Sequence, residues 1–333
     1  MKAFRLANPT TIEQAIELLK ANRVRGSRGQ AQLLAGGQDL LTEMKEHLAE
    51  PEVVVNLKGI RGLDEIRVDP AGALAIGATA RLSDIEEHAG VRERHPMLAQ
   101  AVRSVASPQI RSVATVGGNL CQRPRCWYFR NEHAKCIKKG GSECFSHDGL
   151  NKYNAILGGG PSWIVHPSDL APALVALDAR ATLRGSGGER TVPLETFFTL
   201  PSEGSVLQEN VLQEDEVLAR VDVPAPAAGA RGIYLKFKER GSFDFALASV
   251  AASLVVEGGK VARARLVLGG VAPIPWRAPD AEAALVGQTL DAPAIQAAAE
   301  AAVKGAEPLS MNAYKVPLAK GLVVRALQSL AKA

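Results

Sequence analysis

Residues Pro224-Ala225-Pro226-Ala227-Ala228-Gly229-Ala230 are proline and small side chains that bury little and resist regular structure, so the chain is expected to divide near position 225. Its 333 residues suffice for two or three domains, each with its own apolar interior. Ahead of the linker, Leu33-Leu34-Ala35, Val53-Val54-Val55-Asn56-Leu57, Ile66-Arg67-Val68 and Ala73-Leu74-Ala75-Ile76 read as strands. The turn signal Asp69-Pro70-Ala71-Gly72 pairs the last two as a hairpin, and Gly185-Ser186-Gly187-Gly188 does the same for Ala181-Thr182-Leu183 and Thr191-Val192. Thr10 and Glu13 have capping-box spacing ahead of a first helix, Ser83 and Glu86 start another that ends near Gly90, and Met97 to Ala106 forms the next. Beyond the linker, strands at Ile233 to Lys238, Leu247 to Val256 and Val261 to Leu268 precede helices near 279–286, 293–304 and 317–331. Strands and helices mixed without strict alternation predict an α+β fold.

Hydrophobic residues make up 47% of the chain and charged residues 22%, the profile of a folded protein. The formal charge of +4 is small and the basic residues are scattered, which predicts no nucleic-acid footprint. No apolar run reaches about 18 residues, so no membrane span is expected. The start Met1-Lys2-Ala3-Phe4-Arg5 runs into a helix signal without a signal-peptide core, and folding in the cytoplasm is expected.

Two glycine pairs carry the chemistry. Leu34-Ala35-Gly36-Gly37-Gln38-Asp39-Leu40 places glycines directly after a strand, where backbone amides can approach the oxygens of a pyrophosphate. Ala114-Thr115-Val116-Gly117-Gly118-Asn119-Leu120 adds a hydroxyl and an amide side chain to a second such turn. Singly, each is an ordinary turn signal, and neither is the GxGxxG fingerprint of a Rossmann fold.

The pair, in this order and with these neighbours, resembles the two FAD-pyrophosphate loops in the flavin subunits of xanthine dehydrogenase and carbon monoxide dehydrogenase. His166-Pro167-Ser168-Asp169-Leu170-Ala171 fits a third signature of that family, and Arg240-Gly241-Ser242-Phe243-Asp244-Phe245-Ala246 and Tyr314-Lys315-Val316-Pro317 resemble signatures of its C-terminal domain. The resemblance implies a two-lobed FAD-binding domain of the vanillyl-alcohol-oxidase (PCMH) type, with lobe 1 over 1–60 and lobe 2 over 61–222. A linker over 223–230 and a smaller α+β domain of the CO dehydrogenase flavoprotein type over 231–333 would follow. It implies FAD contacts on Leu34, Ala35, Gly36, Gly37, Gln38, Asp39, Leu40, Thr115, Gly117, Gly118 and Asn119, with Asp169 near the flavin ring. The bland reading of Asp169 is a cap for the helix that follows. Lys236, with Lys238 and Arg240, could place positive charge by the flavin, though solvated strand charges are the commoner case.

All four cysteines, Cys121, Cys126, Cys136 and Cys144, fall in one segment. Cytoplasmic thiols stay reduced, so disulfides are not expected, and thiolates spread along a loop suit a [4Fe-4S] cluster. The segment resembles an insertion over 121–160 that carries such a cluster in aldehyde oxidoreductases and 4-hydroxybenzoyl-CoA reductase. Cys126, Cys136 and Cys144 match three of its ligands, but where the pattern has its fourth cysteine this chain has Ser162. Cys121 or Ser162 would supply the fourth corner, or the cluster is incomplete or missing. His133 and His147 keep zinc open, and four inert buried thiols are the plain alternative.

The resemblance implies an oxidoreductase subunit without catalytic side chains of its own. It would pass electrons from a large molybdenum-cofactor subunit and a small [2Fe-2S] subunit through FAD to an external acceptor. Export alongside a signal-bearing partner subunit is conceivable on this reading. A stand-alone flavoprotein oxidase, and an iron–sulfur or zinc scaffold without flavin, are the competing readings.

Overall fold

The computed structural model describes residues 1–22 and 30–332; of the expected lobe 1 and C-terminal domain, residues 23–29 and 333 lie outside the described residues. The first three strands, β1 (Arg5–Ala7), β2 (Ala31–Leu34) and β3 (Val53–Asn56), form a parallel sheet in the order β1-β3-β2, with Leu33 opposite Val55. The helix Ile12–Ala21 covers it by burying Ile12, Ala15, Ile16 and Leu19, one face at helical spacing. Its cap is one residue later than the sequence suggests: Thr11 accepts the Gln14 amide, and the Gln14 side chain accepts the Thr10 amide at 2.8 Å.

The next five strands, β4 (Ile66–Val68), β5 (Leu74–Gly77), β6 (Arg180–Gly185), β7 (Gly188–Pro193) and β8 (Val217–Val223), form an antiparallel sheet in the order β4-β5-β8-β6-β7. Helices Leu82–Glu87, Ala89–Arg94, Pro96–Ser104 and Leu170–Ala176 belong to the same lobe, whose core includes Leu74, Ile76, Leu98, Val102, Leu174 and Phe197. The single helix expected from Ser83 to Gly90 is two helices, because His88 turns extended and its Nδ1 accepts the Val91 amide, capping the second. Gly90 lies inside that second helix, and Ser83 inside the first.

After residues 224–229, which carry no strand or helix, β9 (Ala230–Phe237), β10 (Ala248–Glu257), β11 (Lys260–Gly269) and β12 (Trp276–Arg277) pair antiparallel in the order β12-β11-β10-β9. Gly258 and Gly259, both at positive φ, make the two-residue turn between β10 and β11. Helices Pro279–Leu285, Ala292–Ala302 and Lys315–Lys332 share one core with this sheet. Helix Pro96–Ser104 of the second lobe packs against β9, and helix Leu170–Ala176 against β10 and β11. The C-terminal sheet therefore sits directly on the lobe that precedes it. Among the described residues, no helix is long and apolar enough to cross a membrane.

Candidate flavin site

Strand β2 ends at Leu34, and the chain turns through Gly36 and Gly37, the latter at φ +75°. A methyl group on Gly36 would stand 2.2 Å from the Val113 carbonyl oxygen and 2.9 Å from the Ala114 Cα. Backbone meets backbone there, so the first bend lies against the residues that lead into the second. Gly117 and Gly118 are not an open turn as the sequence suggests; they belong to the short helix Val116–Leu120, capped by Thr115, whose hydroxyl accepts the Gly118 amide at 3.2 Å. The Gly117 amide donates to the Ala78 carbonyl at 2.8 Å, leaving no room for a side chain.

The two bends share one cleft of about 380 Å³. Ala35, Gly36, Gly37, Gln38, Asp39 and Leu40 line it from the first bend, and Thr115, Gly117, Gly118 and Asn119 from the second. Asp169 and Lys236 line it as well. Leu34 alone of the expected contacts is absent from the wall, packing instead against the small cluster of Met44, Ala49 and Val54.

Asp39 is occupied by protein. Its carboxylate accepts the Arg123 amide at 2.6 Å, Arg130 Nη2 at 2.7 Å and Arg125 Nη2 at 3.0 Å. Burial opposes its charge, but the two guanidiniums and the amide outweigh burial and hold its pKa below the usual carboxylate value. It thereby ties the start of the cysteine-rich segment to the first bend.

The His166-to-Asp169 stretch braces the second bend. His166 Nε2 bonds the Leu120 carbonyl at 3.2 Å, and Ser168 Oγ bonds Asn119 Oδ1 at 2.5 Å while accepting the Ala171 amide. With its Nδ1 accepting the Ser168 amide, His166 is a neutral ring donating from Nε2, and burial lowers its pKa to about 4. Ser168, not Asp169, caps the helix. Asp169 accepts from Tyr234 Oη at 2.8 Å and Lys236 Nζ at 2.6 Å, and burial raises its pKa even beside that ammonium. Lys236 is no solvated strand charge: its side chain is 3% exposed and also bonds the Ser104 carbonyl. Lys238 turns to the Ser242 carbonyl, and Arg240 pairs with Asp244 at the surface.

Tyr234 escaped the sequence reading, although alternation along β9 carried the signal: residues two apart share a face, so Tyr234 and Lys236 reach Asp169 while Leu235 joins the opposite core. The buried group Arg123, Lys138 and Glu209 had no such signal, because Glu209 comes from a distant loop to meet Arg123 at 3.0 Å and Lys138 at 2.8 Å.

The cysteines divide. Cys121 lines the cleft and packs on the large core; burial first, then the Glu209 charge, push its thiol up to about 12, so it stays protonated. Cys126, Cys136 and Cys144 belong to the following loop. The Asn154 amide lies 3.9 Å from Cys126 Sγ and bonds Ser146 Oγ, which is 3.1 Å from Cys144 Sγ. His133 is exposed beside Glu132, and His147 packs on the Trp163 ring. Among the described residues, no group of three or more His, Cys, Asp or Glu side chains could hold a metal ion. This arrangement therefore forms neither the expected four-cysteine site nor the zinc site, because Cys121 faces the cleft and the histidines face elsewhere.

The sequence matches the family described as FAD binding domain in molybdopterin dehydrogenase over residues 2–226, and the CO dehydrogenase flavoprotein C-terminal domain over residues 233–330. The chain therefore belongs to the family of FAD-binding medium subunits of the xanthine dehydrogenase and CO dehydrogenase type. It is 37% identical over 323 residues to the aldehyde oxidoreductase FAD-binding subunit of Escherichia coli (strain K12), covering 96% of each chain. The carbon monoxide dehydrogenase medium chain of Hydrogenophaga pseudoflava is 31% identical, over 98% of this chain and 96% of that one. A solved structure of that organism's carbon monoxide dehydrogenase superposes with a TM-score of 0.77, and quinoline 2-oxidoreductase from Pseudomonas putida 86 with 0.76 at 25% identity.

The residues present fit FAD. Gly36 and Gly117 let backbone pack on backbone where a Cβ would collide, which holds both bends at one cleft, and Thr115 and Asn119 bring polar side chains to it.

Proposed function

We propose that this chain holds one FAD between its two glycine bends and serves as the electron-transferring flavin subunit of a molybdenum hydroxylase. Its partners in this reading are a large molybdenum-cofactor subunit and a small [2Fe-2S] subunit. The observation that carries it is the single cleft shared by both bends. FAD would supply a centre that collects electrons one at a time from iron–sulfur clusters and can pass them on as a pair. The protein supplies geometry: Ala35 to Leu40 and Thr115 to Asn119 form the cradle, Leu34 backs it, and Asp169, Lys236 and Tyr234 hold the C-terminal domain against it. The divisions at 60, 222 and 230 belong to the same proposal, as does a cytoplasmic setting, which four free thiols favour.

Co-expression with large and small subunits tests this reading. Expected are a stable complex and one FAD per copy of this chain, with flavin reduced by the complex's substrate only when all three subunits are present. Turnover of a small substrate by this chain alone would favour a self-sufficient flavoprotein oxidase, and a colourless chain would favour a scaffold.

The iron–sulfur expectation narrows within this proposal to Cys126, Cys136 and Cys144, as in the subset with 4-hydroxybenzoyl-CoA reductase, with Ser162 and not Cys121 at the fourth corner. Its support is the Asn154 and Ser146 network between Cys126 and Cys144, and a Ser162 hydroxyl that is buried without a hydrogen-bond partner. The three thiols would have to close in on one another to meet a cluster. Acid-labile sulfide in anaerobically purified protein is the expected result, and its absence ends this part of the proposal.

A further inference from the structure

A second cavity, of about 360 Å³, adjoins the flavin cleft and shares Arg125, Asp169, Phe243, Asp244 and Phe245 with it. Trp127 and Tyr153 line only this second cavity, their rings edge to face at 5.6 Å, and Phe243 and Phe245 stand at the boundary between the two. The walls therefore present four aromatic rings, three of which, Trp127, Phe243 and Phe245, are exposed large apolar side chains of the kind a folded protein covers when it can.

The charged side chains that line this cavity are already matched. Arg240 pairs with Asp244, Lys152 with Glu239, Lys236 with Asp169, and Arg125 with Asp39. A pyrophosphate-bearing dinucleotide would find no spare cation in this wall. A neutral, flat ring system finds aromatic faces on which to stack. It also finds a donor: Arg125 Nε is buried without a hydrogen-bond partner, although Nη2 of the same guanidinium bonds both Asp39 and Gln122. An unmet buried donor calls for an acceptor oxygen.

We propose that this cavity binds the external electron acceptor and that the acceptor is a quinone, its ring among Trp127, Tyr153, Phe243 and Phe245 and one carbonyl oxygen accepting from Arg125. The inference rests on the flavin reading above. The quinone gains two electrons and two protons, its two carbonyl oxygens becoming hydroxyls, while the dihydroflavin loses the same two electrons and two protons and returns to its oxidised form. Adjacency of the two cavities lets that exchange occur without a further carrier.

The test uses the FAD-loaded chain, reduced without oxygen and mixed with menadione, NAD or ferricyanide while the flavin absorbance is followed. Reoxidation by menadione should saturate, and NAD should be ineffective. Trp127→Ala should raise the half-saturating menadione concentration roughly two- to ten-fold, the value of one aromatic contact. Trp127→Phe should restore it, and FAD content and the rate with ferricyanide, which needs no stacking site, should not move. In the unmodified chain, redox-inert 2-naphthol should compete with menadione. Menadione kinetics that never saturate and ignore 2-naphthol, or saturable reoxidation by NAD, would overturn the proposal while leaving the flavin reading intact. A chain that binds no FAD would remove both.

Discussion

At Gly36 two stretches of backbone touch, and a methyl group there would need the Val113 carbonyl to retreat from 2.2 Å. Gly36→Ala should therefore cost about 2 kcal/mol of stability, near the middle of the range for forced overpacking, and weaken FAD binding by displacing the first bend. Fluorescence titration of the stripped protein measures this. Gly187→Ala, with nothing within 4 Å, is the control and should leave affinity unchanged; an alanine at 36 that binds FAD as glycine does would show that the contact does not shape the cleft. His166 gives a pH-dependent counterpart. Its folded pKa of about 4 lies below the ordinary value of 6.5, so between those values the unfolded chain binds the extra proton and stability falls as pH falls. Between pH 7.5 and pH 5 the loss due to this ring should be about 2 kcal/mol, and His166→Asn should remove that slope from urea midpoints. The glycine pairs were legible because only glycine tolerates such approach. The burial of His166, Asp169 and Lys236 was not, since each owes its environment to residues distant in sequence.

At the scale of elements, the start of helix Lys315–Lys332 gathers the exit of the cysteine-rich segment. Lys315 Nζ donates to the carbonyls of Tyr153, Asn154 and Gly270 at 2.8 to 3.1 Å, and Asn312 Nδ2 to those of Asn154 and Ala155. Lys315 is fully buried, and burial lowers its pKa to about 7. Its folded value lies below the ordinary 10.5, so the unfolded chain binds more protons between the two, and this group makes the protein more stable as pH rises from 7 toward 10.5. Lys315→Met should leave the Tyr153 and Gly270 carbonyls without a donor, since Asn312 still serves Asn154, cost about 2 kcal/mol or more at pH 9, and abolish the alkaline gain. Urea unfolding at pH 7 and 9 checks both effects, and an unchanged pH profile would mean that Lys315 is not the titrating group. The Tyr314-Lys315-Val316-Pro317 signature pointed to this place but not to what it holds, because the acceptors are backbone carbonyls that no sequence displays. Strands with β-branched runs, such as β3 and β10, were legible for the opposite reason: their pattern is local. The helix Val116–Leu120 was not, since five residues are too few to show a helical period. Sheet order was hidden too, for β8 inserts between β5 and β6 from far along the chain.

For the whole molecule, the cleft makes stability and cofactor occupancy one equilibrium. Residues from both lobes and from β9 line it, so FAD bound there favours the assembled state, by about 2.7 kcal/mol at a hundredfold excess over its dissociation constant. One buried polar tie between the domains runs through Asp169, with Tyr234 and Lys236 on the far side, beside other polar ties such as Asp178 with Arg265 and Glu195 with Arg277. Removing one member of such a buried ion pair typically costs about 3–5 kcal/mol, because the other is left charged and uncompensated. Asp169→Asn should therefore loosen the C-terminal domain, whereas Asp169→Asn combined with Lys236→Met should recover part of the loss. In calorimetry the intact holoprotein should melt once, at a temperature that rises with FAD concentration. Asp169→Asn should split that transition, with only the part belonging to the two lobes still following FAD. If both parts continue to rise with FAD in the variant, the cofactor itself, and not the Asp169–Lys236 pair, holds the C-terminal domain in place.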